Sequence, residues 1–379
     1  MTEQLKLKLN DSKATRWGAL VIVAFTMMAA YYVNDVVAPL KTMLETDLAW
    51  SSTDFGFFTG GYSFLNVFFL MLIWGGLILD RFGIRFTGKL ATILMVGGTA
   101  LEYYAMTGLA GADATLFGIN EIFGYKTGVF VAFAGYSIFG VGAEVAGITV
   151  SKIIAKWFKG KELATAMGVQ VALARIGSQA GYAVAIPLAR AFGISTPVLL
   201  GLVLLLGGMI AFFVFAVMDK KLDKQMEAAA IAAGTEDEEE KFSFKDVKNI
   251  LVNPGFWLIA LLCVLFYSCV FPFQKFASEL MIIKYGINEN VAGTFAGLPA
   301  LGALILTPVF GGFIDKRGKS ASIMLLGSAM LICVHFIYAI PDINYWLVAI
   351  VLMIILGIAF SLVPSAMWPA VAKIFPVSQ

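Results

Sequence analysis

The sequence predicts an all-α integral membrane protein built of two related helical bundles. Three observations carry that prediction: the composition, a series of ten apolar runs, and a turn that occurs twice. Of 379 residues, 60% are hydrophobic and 14% charged, whereas an ordinary soluble domain carries about 25% charged residues. The mean hydropathy is +0.86. Each apolar run is about 20 residues or longer, the length an α-helix needs to cross roughly 30 Å of hydrocarbon. Backbone groups find no water there and must bond to one another, which selects helices. A net charge of +2 implies no nucleic-acid partner. His335 is the one imidazole, and Cys263, Cys269 and Cys333 lie in apolar runs without Cys-x-x-Cys spacing. Neither a disulfide framework nor a metal site is indicated, and no cofactor is expected.

The ten spans run approximately over 17–40, 53–79, 85–108, 128–155, 162–189, 195–218, 254–280, 290–314, 320–340 and 344–372. The leading "MTEQLKLKLNDSKATR" is polar and basic. The first apolar run is too long for a signal-peptide core and lacks a clear cleavage site, so it is read as retained. Lys and Arg orient the chain. Of the 27 Lys and Arg, only Lys41, Lys126, Arg190 and Lys284 fall on one side and Arg175 and Lys275 within spans; the rest cluster on the other side, with the N-terminus. That side is expected to be cytoplasmic. The long segment 219–253 on the same side divides a six-span bundle, 1–218, from a second bundle, 254–379, with four spans. Its acidic run Glu236 to Glu240 reads as solvated linker, and "SFKDVKNI" as a short surface helix with Ser243 as N-cap.

The turn that occurs twice is G-x-x-x-D-[RK]-x-G. Gly76, Asp80, Arg81 and Gly83 form the first copy, and Gly311, Asp315, Lys316 and Gly318 the second, offset by 235 residues at every matched position. Both copies lie at equivalent ends, after the second and eighth spans. The glycines permit a tight turn and close helix approach, and the aspartate suits a neighbouring helix N-terminus or a basic side chain.

The duplicated turn and the long linker resemble the signature of the major facilitator superfamily. The resemblance implies two pseudo-symmetric bundles that rock about a central site, giving alternating access. The count here is six spans plus at least four, and two further spans are expected beyond Gln379. A narrower resemblance begins at the fourth span. "FGVGAEVAGITVSKIIAKWFKGKELATAMGVQVALARIGSQ", "VFPF" at 270–273, "HF" at 335–336 and "SAMWPAVAKIFP" at 365–376 are similar to the lysosomal dipeptide transporter branch. The long loop 109–128 departs from that pattern. No glycosylation sequon lies in an outward loop, so the inner membrane of a bacterium is the expected setting.

Glu144 stands among glycines, alanines and valines about 14 residues before the turn between spans four and five. Arg175 stands about 16 residues after it. At roughly 1.5 Å per residue both lie near mid-membrane. Intramembrane charges are functional by default. Gly140 and Gly147 share the face of Glu144 and are expected to leave room for a solute. Ser178, Gln179 and Tyr182 continue a polar stripe from Arg175. A carboxylate accepts from an ammonium and a guanidinium holds a carboxylate in two bonds, so the pair suits a small zwitterion or, with Arg175 dominant, an anion. The resemblance implies that a dipeptide binds at these positions. Tyr31, Tyr32 and Trp368 are further candidates to line the cavity.

Asp35 near the far end of span one, and Lys275 with Glu279 in span seven, are candidate gate residues. Asp35 is expected to meet Lys275, with a local Lys275–Glu279 pair as the alternative. Asp80, Arg81, Asp315 and Lys316 of the repeated turns are candidate coupling residues. The expected partners are a small-molecule substrate and the lipid bilayer; the sequence says nothing of an accessory subunit. An organic-anion transporter and a non-transporting receptor or scaffold are the other readings. Neither an enzyme nor an ATP-driven pump is expected, since no G-x-x-x-x-G-K-[ST] occurs.

Overall fold

The structure, a computed structural model, describes residues 8–111, 114–233 and 251–374. The side chains of a few helical residues, Asp315 among them, stand outside that description, as do the acidic run 236–240 and the surface helix expected at 243–250. The chain divides into two compact units, 1–236 and 237–379.

The first unit holds α1 (Lys13–Val36), α2 (Lys41–Asp47), α3 (Ser52–Phe68), α4 (Met71–Thr107), a hairpin of β1 (Glu121–Ile122) and β2 (Tyr125–Lys126), α5 (Thr127–Trp157), α6 (Leu163–Phe192) and α7 (Thr196–Ala233). The second holds α8 (Pro254–Ile283), α9 (Glu289–Ala296), α10 (Leu298–Arg317), α11 (Ser320–Ala339) and α12 (Trp346–Ile374). Local chemistry sets several starts. Ser51 and Asp54 form a reciprocal capping box at α3, with Ser51 N–H donating to Asp54 (2.8 Å) and Asp54 N–H to Ser51 Oγ (3.1 Å). Asn253 caps α8 by accepting from Gly255 N–H, and Pro254 takes the first turn, where a missing N–H is harmless.

Seven helical stretches among the described residues are long and apolar enough to cross a membrane, or eight if the bent pair α3–α4 is one span. The expected spans 53–79, 85–108 and 162–189 account for the difference from ten. Span 53–79 breaks at Leu70, whose φ of 52° is left-handed, and α3 and α4 as wholes are bent by 58° across that break. Span 85–108 is the second part of α4, which turns at Gly83 (φ 74°, ψ 173°). Span 162–189 is α6, whose Arg175, Ser178, Gln179 and Arg190 dilute its apolar character. Helix α7 continues through Ala233, well into the stretch expected as linker.

In the first unit α5 packs along α4 and α3, while α6 and α7 pack along α1; α5 and α6 share only a short contact. Phe139 and Trp157 of α5 and Phe212 and Phe215 of α7 are fully buried. In the second unit α12 packs on α10 and α11, with Ile314, Ile323, Leu362 and Ala366 at the contact. In lipid such packing rests on close van der Waals approach rather than on expelling water, which favours small residues at helix crossings.

Candidate functional site

Glu144 sits on α5, half-buried between fully buried neighbours on either side. The Tyr62 hydroxyl on α3 donates to Glu144 Oε1 at 2.7 Å. Gly140, one turn before Glu144, explains the fit: a Cβ there would collide with the Tyr62 carbonyl, so glycine lets the two backbones touch. The Tyr62 ring lies beside Tyr136 and Phe139, at 5.7 and 6.1 Å between centroids. Gly140 is therefore filled by α3 and leaves no room for a solute. Gly147 is open, with nothing nearer than Met27 Cε at 3.9 Å from a Cβ position.

Arg175 is half-buried on α6, with its guanidinium 5.6 Å from the Tyr31 ring centroid, a cation–π distance. Gln179, one turn on, is half-buried, while Ser178 and Tyr182 are buried. Tyr32 is also buried, and its hydroxyl donates to the Pro197 carbonyl at 3.2 Å. Tyr32 thus packs α1 on α7, and the neighbouring Tyr31 is the one that meets Arg175. The short α5–α6 contact means that Glu144 and Arg175 stand on helices that are not packed along each other: α6 lies mainly on α1, and α5 mainly on α4 and α3.

Asp35 accepts from Asn34 Nδ2 at 2.8 Å, and the Tyr136 hydroxyl donates to the Asn34 carbonyl at 2.7 Å. Glu102, for which the sequence names no partner, is buried on α4 within electrostatic range of Tyr136. In the second unit Lys275 and Glu279 lie one turn apart on α8, both half-buried. Trp368 of α12 is 55% exposed. His335 places Nδ1 3.0 Å from the Leu331 carbonyl and Nε2 3.1 Å from the Cys269 carbonyl, joining α11 to α8.

The two repeated turns share their backbone. Gly83 and Gly318 both have positive φ, 74° and 65°. Asp80 accepts from Lys152 of α5 at 2.9 Å, and Arg81 lies over Phe82. In the second copy Lys316 is exposed and Arg317 lies over Phe313, while the Asp315 side chain is outside the described residues. Beside the first turn stands a denser cluster, which the sequence reading missed. Asp219 of α7 is wholly buried and receives Lys156 at 2.8 Å, Trp157 Nε1 at 3.0 Å and Arg85 at 3.5 Å; Arg85 also pairs with Asp223 at 2.6 Å. At the same end Arg16 pairs with Glu162 and Lys161 with Asp11, both at 2.8 Å. The Lys161 hydrogen bond holds the Asp11 carboxyl below its ordinary value, and Arg16 does the same for Glu162.

The comparisons with known proteins agree with this architecture. The lysosomal dipeptide transporter MFSD1 of Homo sapiens is 28% identical over 380 residues, covering 97% of this chain and 74% of its own. Its counterpart from Danio rerio is 26% identical over 371 residues, covering 95% and 74%. Among solved structures, the xylose transporter XylE from E. coli aligns with a TM-score of 0.64 at 15% identity, covering 96% of this chain and 86% of that one. The structure of PepTSo2 aligns at 0.62 and 12%, covering 92% and 82%. The sequence description of the Major Facilitator Superfamily matches residues 19–379. The chain is a multi-pass integral membrane transporter of a small molecule, and it belongs to the Major Facilitator Superfamily.

Proposed function

We propose that the protein carries dipeptides across the membrane by alternating access, with Glu144 taking the ammonium end and Arg175 the carboxylate end. The observation that carries this reading is the single hydrogen bond on Glu144. Tyr62 occupies one carboxylate oxygen, and among the described residues the other takes no hydrogen bond. A half-buried carboxylate with one donor retains capacity for a cationic ligand. On α6, Arg175 with Gln179 supplies the complementary donors, and of the two tyrosines on α1 it is Tyr31 that lies beside Arg175. The names of the 26–28% identical relatives support the dipeptide class. Tyr182 and Trp368 remain secondary candidates. Asp35, Lys275 and Glu279 are proposed as gate residues, and the Asp80–Arg81 and Asp315–Lys316 turns as the elements that shift between states. The side with the N-terminus is proposed to be cytoplasmic, in an inner membrane. Transport is assigned no enzymatic step.

The test is a thermal-shift screen, since a ligand that binds the folded protein raises its melting temperature. Free dipeptides should raise it; N-acetylated and C-amidated forms should raise it far less. Equal shifts with all three forms would exclude the zwitterion site and leave an organic anion as the substrate class.

A further inference from the structure

The loop that departs from the family pattern contains two tight turns in succession. Leu116 and Ile119 exchange both backbone hydrogen bonds, each 3.0 Å, around Phe117–Gly118. Then Ile122 pairs with Tyr125 around Phe123–Gly124. The φ values are 55° and 80° in the first turn and 52° and 80° in the second. Two-residue loops with positive φ at both central residues are type I′ turns, and their first position favours Asn, Asp or Gly because a Cβ is strained there. Both turns place phenylalanine at that position. Both rings are exposed, Phe117 94% and Phe123 88%, with the Phe123 centroid 5.9 Å from that of Phe130. Water favours neither the strain nor the exposure, yet the same arrangement occurs twice six residues apart. Strained residues that persist point to a role for what they display.

The base of the loop is fixed. Thr127 Oγ1 donates to the Ile119 carbonyl at 2.8 Å, Lys126 Nζ to the Ala49 carbonyl at 2.6 Å, and the Tyr125 ring stacks on Phe57 at 3.9 Å. The tips therefore project from a tethered platform. Helix α4 ends at Thr107 and α5 begins at Thr127, so the platform sits where both helices leave the hydrocarbon. Helix α4 carries an exposed apolar face, with Ile93, Leu101 and Tyr104 at helical spacing, close to its end at Thr107. Between the tips only Glu121 is charged, and it is exposed. Aromatic rings concentrate at membrane–water boundaries.

We propose that Phe117 and Phe123 insert into the headgroup–acyl boundary of the adjacent leaflet and anchor the first unit to the lipid. The test uses the full chain with Cys263, Cys269 and Cys333 changed to Ala, in nanodiscs of phosphatidylcholine and phosphatidylglycerol. Nitroxide labels are placed singly at Phe117→Cys, Phe123→Cys and Glu121→Cys. The two tip labels should collide several-fold more with oxygen than with a water-soluble nickel chelate, and the Glu121 label should do the reverse. Equal nickel access at all three positions overturns the proposal. So does a tip that is nickel-accessible in nanodiscs but shielded from both reagents in native membranes, since that result assigns the surface to a protein partner. A second measurement needs no label. Phe117→Asn with Phe123→Asn supplies the residue that the turn prefers. Lipid anchoring predicts a lower melting temperature for this variant in nanodiscs than for the parent; a raised one means that the tips lie in water.

Discussion

Two carboxylates in this apolar chain have opposite surroundings. Asp219 is wholly buried and receives a lysine, an arginine and an indole N–H. Glu144 is half-buried and receives one phenol. A buried acid whose acceptor sites are filled by the fold is a structural joint, and removing it strands its donors. An acid given one donor, beside an open glycine, is held in position with capacity to spare. On the proposed function, the number of donors that the fold supplies, together with burial, separates a structural acid from one that takes a ligand.

The largest expected effect falls on the saturated acid. Asp219→Ala should destabilise the protein by about 3 kcal/mol, because it leaves the buried Trp157 indole N–H without its acceptor and takes one of two carboxylates from Lys156 and Arg85, which keep Asp223. The melting temperature in detergent measures this, and the protein that remains folded should keep its preference among dipeptide analogues. A changed preference would erase the distinction between the two acids. Next comes Glu144→Gln. It should weaken binding of free dipeptides by one to two orders of magnitude, from the loss of a charged hydrogen bond of about 1.5–3 kcal/mol. Discrimination against N-acetylated forms should vanish while the melting temperature of the unliganded protein holds. A collapse of folding would make Glu144 a joint like Asp219.

Tyr62→Phe sharpens the contrast by removing the one donor on Glu144. The bond it removes is made to a charged acceptor and is worth at most about 1.5–3 kcal/mol; Glu144 keeps its charge, so affinity should fall by less than for Glu144→Gln, for free more than for N-acetylated peptide. Arg85→Gln is the matching change on the other acid. Arg85 is 39% exposed, and Asp219 keeps Lys156 and Trp157, so stability should change by less than about 1 kcal/mol. The smallest effect belongs to the N-terminal contacts. Asp11 and Glu162 titrate below their ordinary values of 3.8 and 4.5. Their contribution is fully present above those values and is lost as the pH falls through the lowered ones. Protection of residues 8–16 against hydrogen exchange, corrected for the intrinsic pH dependence of exchange, should fall in that window and remain flat between pH 6 and 8.

The repeated turn was legible in the residues because only glycine tolerates what Gly83 and Gly318 do, and the structure gives both positive φ. The superfamily fold followed from that turn, the apolar runs and the linker. The break at Leu70 was not legible: it falls inside "FFLML", where no Gly or Pro marks it. Tyr31 and Tyr32 differ by one residue, about 100° around a helix, and periodicity could not say which one faces Arg175. Tyr62 and Glu144 are 82 residues apart; each is visible alone, and their meeting depends on α3 and α5 touching at Gly140. The type I′ turns at Phe117 and Phe123 were hidden because phenylalanine is the wrong residue for them.

The left-handed residue at Leu70 has a mechanical consequence. A straight helix transmits torque along its length, so any rotation of the Asp80 turn would twist the level of Tyr62 with it. Here the rod is cut between the two at Leu70. Under the proposed alternating access, such a joint would let the segment from Met71 to the Asp80 turn move while α3 keeps its grip on α5 through the backbone contact at Gly140. Straightening that joint would make the phenol on Glu144 follow every displacement of the Asp80 turn.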